Sequence, residues 1–366
     1  MTSLRSALKS ATALAAFSLS FPLASWAEEP LPVVATFSIL GDMVERIGGE
    51  HIALTTLVGP DGDTHVYQPT PKAARSVAEA DVLFLNGLEF EGWLERLAES
   101  ASFGGAMVVA TKGVVPIAFD DHDDHDDHDD HDDHDDHDDH DKHDDHDDHD
   151  DHDDHDKHDD HDDHDDHADH DEHDKHDDHD NHDDHAGHDH GAFDPHAWQS
   201  LENAVIYANN IAAGLAQADP ENAGDYYANR AAFITEVETL RADIGAMMKS
   251  LPADKRTVVT PHDAFGYFAA TYDLTFVAPQ GMSTDSEVSA ADVAALITQI
   301  REESISAVFI ESITDNRMMQ QIANETGATI GGTLYSDALS AQSGPASTYL
   351  DMMRHNATTL FDALGN

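Results

Sequence analysis

The sequence runs to 366 residues with a formal net charge of −57 and no cysteine. A balance this acidic excludes nucleic acid and anionic membrane surfaces as partners. The missing thiols exclude disulfides, thiolate metal sites and a lipid-modified cysteine. The charge is concentrated: between Asp120 and His190, 39 Asp, one Glu and three Lys contribute −37 and leave −20 to nearly three hundred other residues, enough for two domains.

Arg5 and Lys9 precede an apolar stretch of small residues from Ala11 to Leu23, and Ala24-Ser25-Trp26-Ala27 follows. This order is that of a secretory signal peptide over residues 1–27, and it places the mature chain in a bacterial periplasm. The apolar stretch is shorter than the ~20 residues of a spanning helix. Residues 28–219 read as an α/β lobe. Pro32–Phe37 is a β-branched run, followed by a helical pattern through Met43, Val44 and Ile47, and Ile52–Val58 is a second strand. Pro71–Ala78 is a helix with Thr70 as N-cap and Pro71 at its first position. Asp81–Leu85 reads as a strand, Glu91–Ala101 as a helix and Ala106–Ala110 as a strand.

At Asp120 the alternation stops and Asp-Asp-His repeats at a period of three. His122, His125, His128 and every third position through His185 and His188 are histidine, with His190 off register, so the tract holds 24 of the 29 histidines. It lacks apolar residues to bury and is expected to be disordered without metal. Imidazole and carboxylate are ligands of borderline divalent metals, and at three or four imidazoles per zinc the tract would hold roughly six to eight ions. The α/β pattern resumes at Phe193. Trp198–Ala216 is a helix, and residues 220–250 contain a long one with an apolar stripe through Tyr226, Ala231, Phe233, Val237, Leu240, Ile244 and Met247. Residues 251–366 alternate again: strand 256–260, helix 264–271, strand 274–277, helix 290–303, strand 307–311, helix 316–326, strand 328–334 and helix 347–364. The expected fold is α/β, with two lobes, each a mostly parallel sheet flanked by helices, joined by one long rigid helix.

Outside the tract five histidines remain. His65 lies in the turn-rich segment GPDGDTHVYQPTP after a strand, His196 in DPHAW ahead of a helix, and His262 in VVTPHDAFGYF at a strand's carboxyl end. Ligands of open α/β sheets collect outside the carboxyl ends of the strands, so a site between the lobes can draw on all three. Asp337 in TLYSDALS is a candidate fourth ligand; Asp263, Asp285 and Glu311 are alternatives from position alone. Three imidazoles and one carboxylate close a four-coordinate shell suited to zinc, whereas a catalytic zinc would keep an open position. Glu311 either hydrogen-bonds a ligand imidazole or caps a strand end. Trp198 and Tyr335 read as cleft walls, and His51 and His355 as surface residues. No nucleophile motif, phosphate-cradling loop or dinucleotide fingerprint is present.

The segments VVATFSILGDMVERIGG, GPDGDTHVYQPTP, ADVLFLNGLEFEGWLERL, DPHAWQSLENA, VVTPHDAFGYFAATYDL, SAADVAALITQIREESISAVFIE and TLYSDALS together resemble the zinc- and manganese-binding solute-binding proteins of bacterial ABC transporters, the ZnuA-type family. The resemblance runs from about Leu31 to Leu364 apart from the repeat. It implies that His65, His196, His262 and Asp337 hold the metal, and it selects Asp337 over its rivals. Manganese and iron members tend to carry Glu where this chain has His262, and imidazole suits zinc as carboxylate suits manganese. It further implies a non-enzymatic protein that captures Zn2+ between the lobes and delivers it to an inner-membrane ABC permease. A periplasmic zinc chaperone is a further expected partner, and a monomer is the expected state. The long helix would be a rigid spine limiting closure, and the tract, standing where zinc-type members carry a His-rich loop, an auxiliary zinc collector. Two alternatives stay open: a metal buffer or chaperone acting through the repeat, and a manganese-importing homologue. A zinc hydrolase is a third possibility, against which the four ligands speak.

Overall fold

A computed structural model of the chain describes residues 29–118, 193–285 and 288–365. The signal-peptide segment and the Asp-Asp-His tract lie outside the described residues. The first lobe comprises β1 (Leu31–Phe37), α1 (Ser38–Gly48), β2 (Ile52–Val58), α2 (Pro71–Glu79), β3 (Val82–Leu85), α3 (Leu94–Ser100), β4 (Ala106–Val109) and α4 (Leu201–Ala218). Its four strands are parallel in the order β2-β1-β3-β4, with Leu31 opposite Ile52 and Val33 opposite Val82. Val33 to Phe37 are all buried, as a parallel strand covered on both faces requires. Thr70 caps α2 as expected, its hydroxyl accepting from Ala73 N at 3.2 Å with Pro71 in the first turn.

The helix α5 (Ala223–Lys249) leads into the second lobe. That lobe holds β5 (Thr257–Val259), α6 (Gly266–Tyr272), β6 (Thr275–Val277), α7 (Ala290–Glu302), β7 (Ala307–Glu311), α8 (Arg317–Thr326), β8 (Thr329–Leu334) and α9 (Tyr349–Leu364). Its parallel order is β6-β5-β7-β8, the same as the first. In each sheet the winding direction reverses beside the first strand, between β1 and β3 and between β5 and β7. These are the topological switch points outside which α/β folds bind ligands.

One apolar cluster runs from β1 through α1, α4 and α5 into α6 and α9, so the two lobes share a core. A smaller one lies between α7, α8 and the second sheet. The buried face of α5 is Tyr226, Phe233, Val237, Leu240, Ile244 and Met248. The expected stripe is corrected at two places: Ala231 is exposed, and Met248 is fully buried where Met247 is half-buried. A second correction concerns α3, which starts at Leu94 and not at Glu91. Gly87, Leu88 and Glu89 have φ of 89°, 53° and 62°, so the backbone leading up to Glu91 is left-handed. Glu91 is drawn into the core instead, only 7% exposed.

Candidate metal centre

All four candidate residues lie on loops at the carboxyl ends of strands or facing them. His65 sits between β2 and α2, where Asp63 Oδ1 accepts from its backbone N–H at 2.9 Å and the Trp93 indole N–H donates to the Thr64 carbonyl at 2.9 Å. His196 precedes α4. Asp194 Oδ1 lies 2.8 Å from both its backbone nitrogen and its ring Nδ1. The Asp-Pro-His spelling explains this, because an Asp carboxylate readily accepts from the amide two residues on. His262 follows β5, and its Nδ1 lies 2.5 Å from Glu311 Oε2 at the end of β7. Asp337 lies between β8 and α9. The preceding Ser336 donates to Glu311 Oε2 at 2.8 Å and accepts, through its carbonyl, from the Trp198 indole and the Gln199 amide at 2.9 and 2.8 Å.

These loops bring His65, His196, His262 and Asp337 together. One ring nitrogen or carboxylate oxygen from each lies within 4.8 Å of all the others. The imidazole centres form a near-equilateral triangle with sides of 5.6, 5.7 and 6.1 Å. Asp337 faces it: Oδ2 is 3.2 Å from Nε2 of His65 and of His262, and Oδ1 is 3.5 Å from Nε2 of His196. His196, His262 and Asp337 are fully buried. His65 Nε2, His196 Nε2 and Asp337 Oδ1 are buried without a hydrogen-bond partner, and buried polar atoms in native proteins are normally satisfied. A divalent cation would satisfy all of them at once. The carboxylates of Asp194 and Glu311 hold the Nδ1 side of two rings and leave Nε2 facing the cluster, the arrangement by which outer carboxylates fix ligand tautomers.

The electrostatics follow from this crowding. Burial disfavours charge on His262, yet Glu311 and Asp337 outweigh it and hold the imidazole pKa well above its ordinary value. His196 is raised in the same way, burial being overcome by Asp337 and Asp194. Asp337 is held well below the usual carboxylate range, because His196 and His262 more than offset its burial.

Of the other candidates, Glu311 stands behind His262, while Asp263 and Asp285 lie outside the cluster. Trp198 is fully buried with its ring 5.3 Å from that of His196, and Tyr335 packs against His355 at 5.4 Å. His51 and His355 are half-buried at the surface, bonded to Asp225 and to the Thr333 carbonyl at 2.9 and 3.0 Å. Sequence reasoning missed Asp194 and Ser336. Only Asp194 left a local signal, its position two residues before a histidine.

A family profile described as zinc-uptake complex component A, periplasmic (ZnuA), matches residues 33–363. The chain belongs to the ZnuA family. Over 337 residues it is 26% identical to the manganese-binding lipoprotein MntA of Halalkalibacterium halodurans, covering 92% of this chain and 89% of that one. Over 333 residues it is 27% identical to the iron-binding protein YfeA of Yersinia pestis, covering 91% and 86%. Among solved structures it resembles the manganese-bound periplasmic metal binding protein from Candidatus Liberibacter asiaticus, with TM-score 0.67, 26% identity and coverage of 91% and 98%. It shares the fold of the periplasmic zinc binding protein TroA from Treponema pallidum, with TM-score 0.70 at 23% identity and coverage of 92% and 99%. Membership of the ZnuA family makes the chain a metal-binding component of an ABC transporter, acting outside the cytoplasm, and not an enzyme. Among the described residues no helix is long and apolar enough to cross a membrane.

Proposed function

We propose that the chain is the periplasmic zinc-capture component of an ABC importer, with Nε2 of His65, His196 and His262 and the Asp337 carboxylate as the ligands of a transported Zn2+. One observation carries this reading: three imidazole nitrogens and one carboxylate oxygen, within 4.8 Å of one another and shielded from water. Four protein ligands suit a closed tetrahedral zinc shell, whereas manganese favours oxygen-rich, six-coordinate surroundings. The carboxylates behind His196 and His262 support the same reading, since zinc-bound imidazoles characteristically carry such partners.

Capture and delivery follow from closure. The lobes meet through Thr284 Oγ1 to Asp63 Oδ2 at 2.6 Å, Asp61 N to the Leu339 carbonyl at 2.8 Å and Leu339 N to Ser38 Oγ at 3.0 Å. An ion enclosed this way leaves slowly until these contacts are broken, so docking on the inner-membrane permease would supply the work of opening. The Asp-Asp-His tract acts in this scheme as an auxiliary zinc collector. The test is chelator competition for zinc and for manganese on the mature parent protein and on His65→Ala and His262→Ala. The reading expects zinc to bind more tightly than manganese and each variant to lose the tight zinc site. Undiminished tight zinc binding in both variants would overturn the ligand assignment. Tighter binding of manganese than zinc in the parent would favour manganese import.

A further inference from the structure

Glu91 is a buried carboxyl group outside the four-residue cluster. It lies where β1 and β3 end, at the switch point of the first sheet. Its Oε1 accepts from the Thr36 hydroxyl at 2.6 Å and from Asn86 N at 2.7 Å, and its Oε2 accepts from Gly87 N at 3.2 Å. Burial pushes its pKa up, so the site is kept for hydrogen bonding at some cost to the charged form. The Asn86 side chain extends the chain of bonds: its amide donates to the Pro195 carbonyl at 2.8 Å, and its oxygen accepts from the Tyr207 hydroxyl. Pro195 stands between Asp194, which holds the His196 ring, and His196 itself.

The same carboxyl anchors a strained turn. Leu88 and Glu89 adopt left-handed φ of 53° and 62°, conformations uncommon for non-glycine residues and found where the surroundings over-determine the backbone. The turn delivers Phe90, whose ring centre lies 4.9 Å from that of His65 and 6.0 Å from that of His196. One buried group is therefore tied to the placement of two imidazoles, to His196 through Asn86 and Pro195 and to both rings through Phe90.

We infer that Glu91, acting with Asn86, is a positioning residue that sets the geometry of the centre without touching the ion. The inference rests on the zinc reading above. Its test uses the full mature chain with one equivalent of metal. The variants are Glu91→Ala, Glu91→Gln and, as a remote truncation in the second lobe's separate apolar cluster, Ile322→Ala. Glu91→Gln keeps an oxygen for Thr36 and Asn86. Glu91→Ala is expected to raise the zinc dissociation constant about 10-fold, the lower end of the cost of losing a group bonded directly to a ligand, and Glu91→Gln to recover most of it. The visible ligand-field spectrum of the Co2+-loaded protein should change in Glu91→Ala and stay unchanged in Ile322→Ala, a difference that mere loss of stability does not produce.

Should Glu91→Ala not fold, Thr36→Val and Tyr207→Phe each remove a single hydroxyl from the same network and should each weaken zinc. Parent-like affinity and spectrum in folded Glu91→Ala, or in both hydroxyl variants, would overturn the inference. So would equal spectral changes in Glu91→Ala and Ile322→Ala. A parent without a tight zinc site would instead overturn the ligand assignment beneath it.

Discussion

Of the four clustered side chains Asp337 alone is an acid, and its charge decides how the centre responds to pH. In the metal-free protein His196 and His262 hold their protons above the ordinary imidazole range, because Asp337, Asp194 and Glu311 lie against them. A metal binds the neutral ring, so those protons must leave. Raising the pH through the elevated values frees the ring nitrogens and favours the ion; lowering it returns the protons and expels the ion. The apparent zinc affinity should therefore fall on acidification, beginning above the ordinary imidazole value and approaching about tenfold per pH unit for each proton displaced. Chelator competition across a pH series checks this, and a flat profile would contradict it. At this scale the grouping of the three histidines was legible, because His65 and His262 sit in turn-forming sequence after strands and His196 in a turn just ahead of a helix. Asp337 was not separable from Asp263, Asp285 or Glu311 without the family resemblance, since loop acids look alike until the chain is folded. Glu91 was hidden by a helix-like pattern that gives no sign of its inward turn.

Among the elements, α5 does more than connect. It packs on α1 and α4 of the first lobe and on α6 and α9 of the second, and Leu240, 1% exposed, lies in the middle of that face. Leu240→Ala should cost about 2–5 kcal/mol, read as a lower urea midpoint with an unchanged slope. A loss below ~1 kcal/mol would show that the shared face contributes little. The element order was legible because parallel strands announce themselves as short apolar runs and the helices carry recognisable caps, Thr70 among them. The errors have local causes. Leu88 and Glu89 carry no signal for left-handed backbone, so α3 was expected to start a turn too early. On α5 a helix of this length lets the buried stripe drift in phase, and the final contact passes from Met247 to Met248.

For the whole molecule, two sheets of identical strand order set their switch points against one cluster, and side chains from both lobes meet there. Ala118 bridges Phe193 and Asp194 N donates to the Ile117 carbonyl at 2.9 Å, so the chain departs and returns at adjacent points, the geometry that tolerates insertion and deletion. Removing residues 121–190 isolates the centre from competing imidazoles and exposes the central claim, a closed zinc shell of three histidines and one aspartate, to direct measurement. The decisive experiment is zinc X-ray absorption on that deletion protein loaded with one equivalent of metal. The account predicts about four nitrogen or oxygen neighbours at roughly 2.0–2.1 Å, with scattering from three imidazole rings. A shell of about six neighbours, or one with a single imidazole, would contradict it.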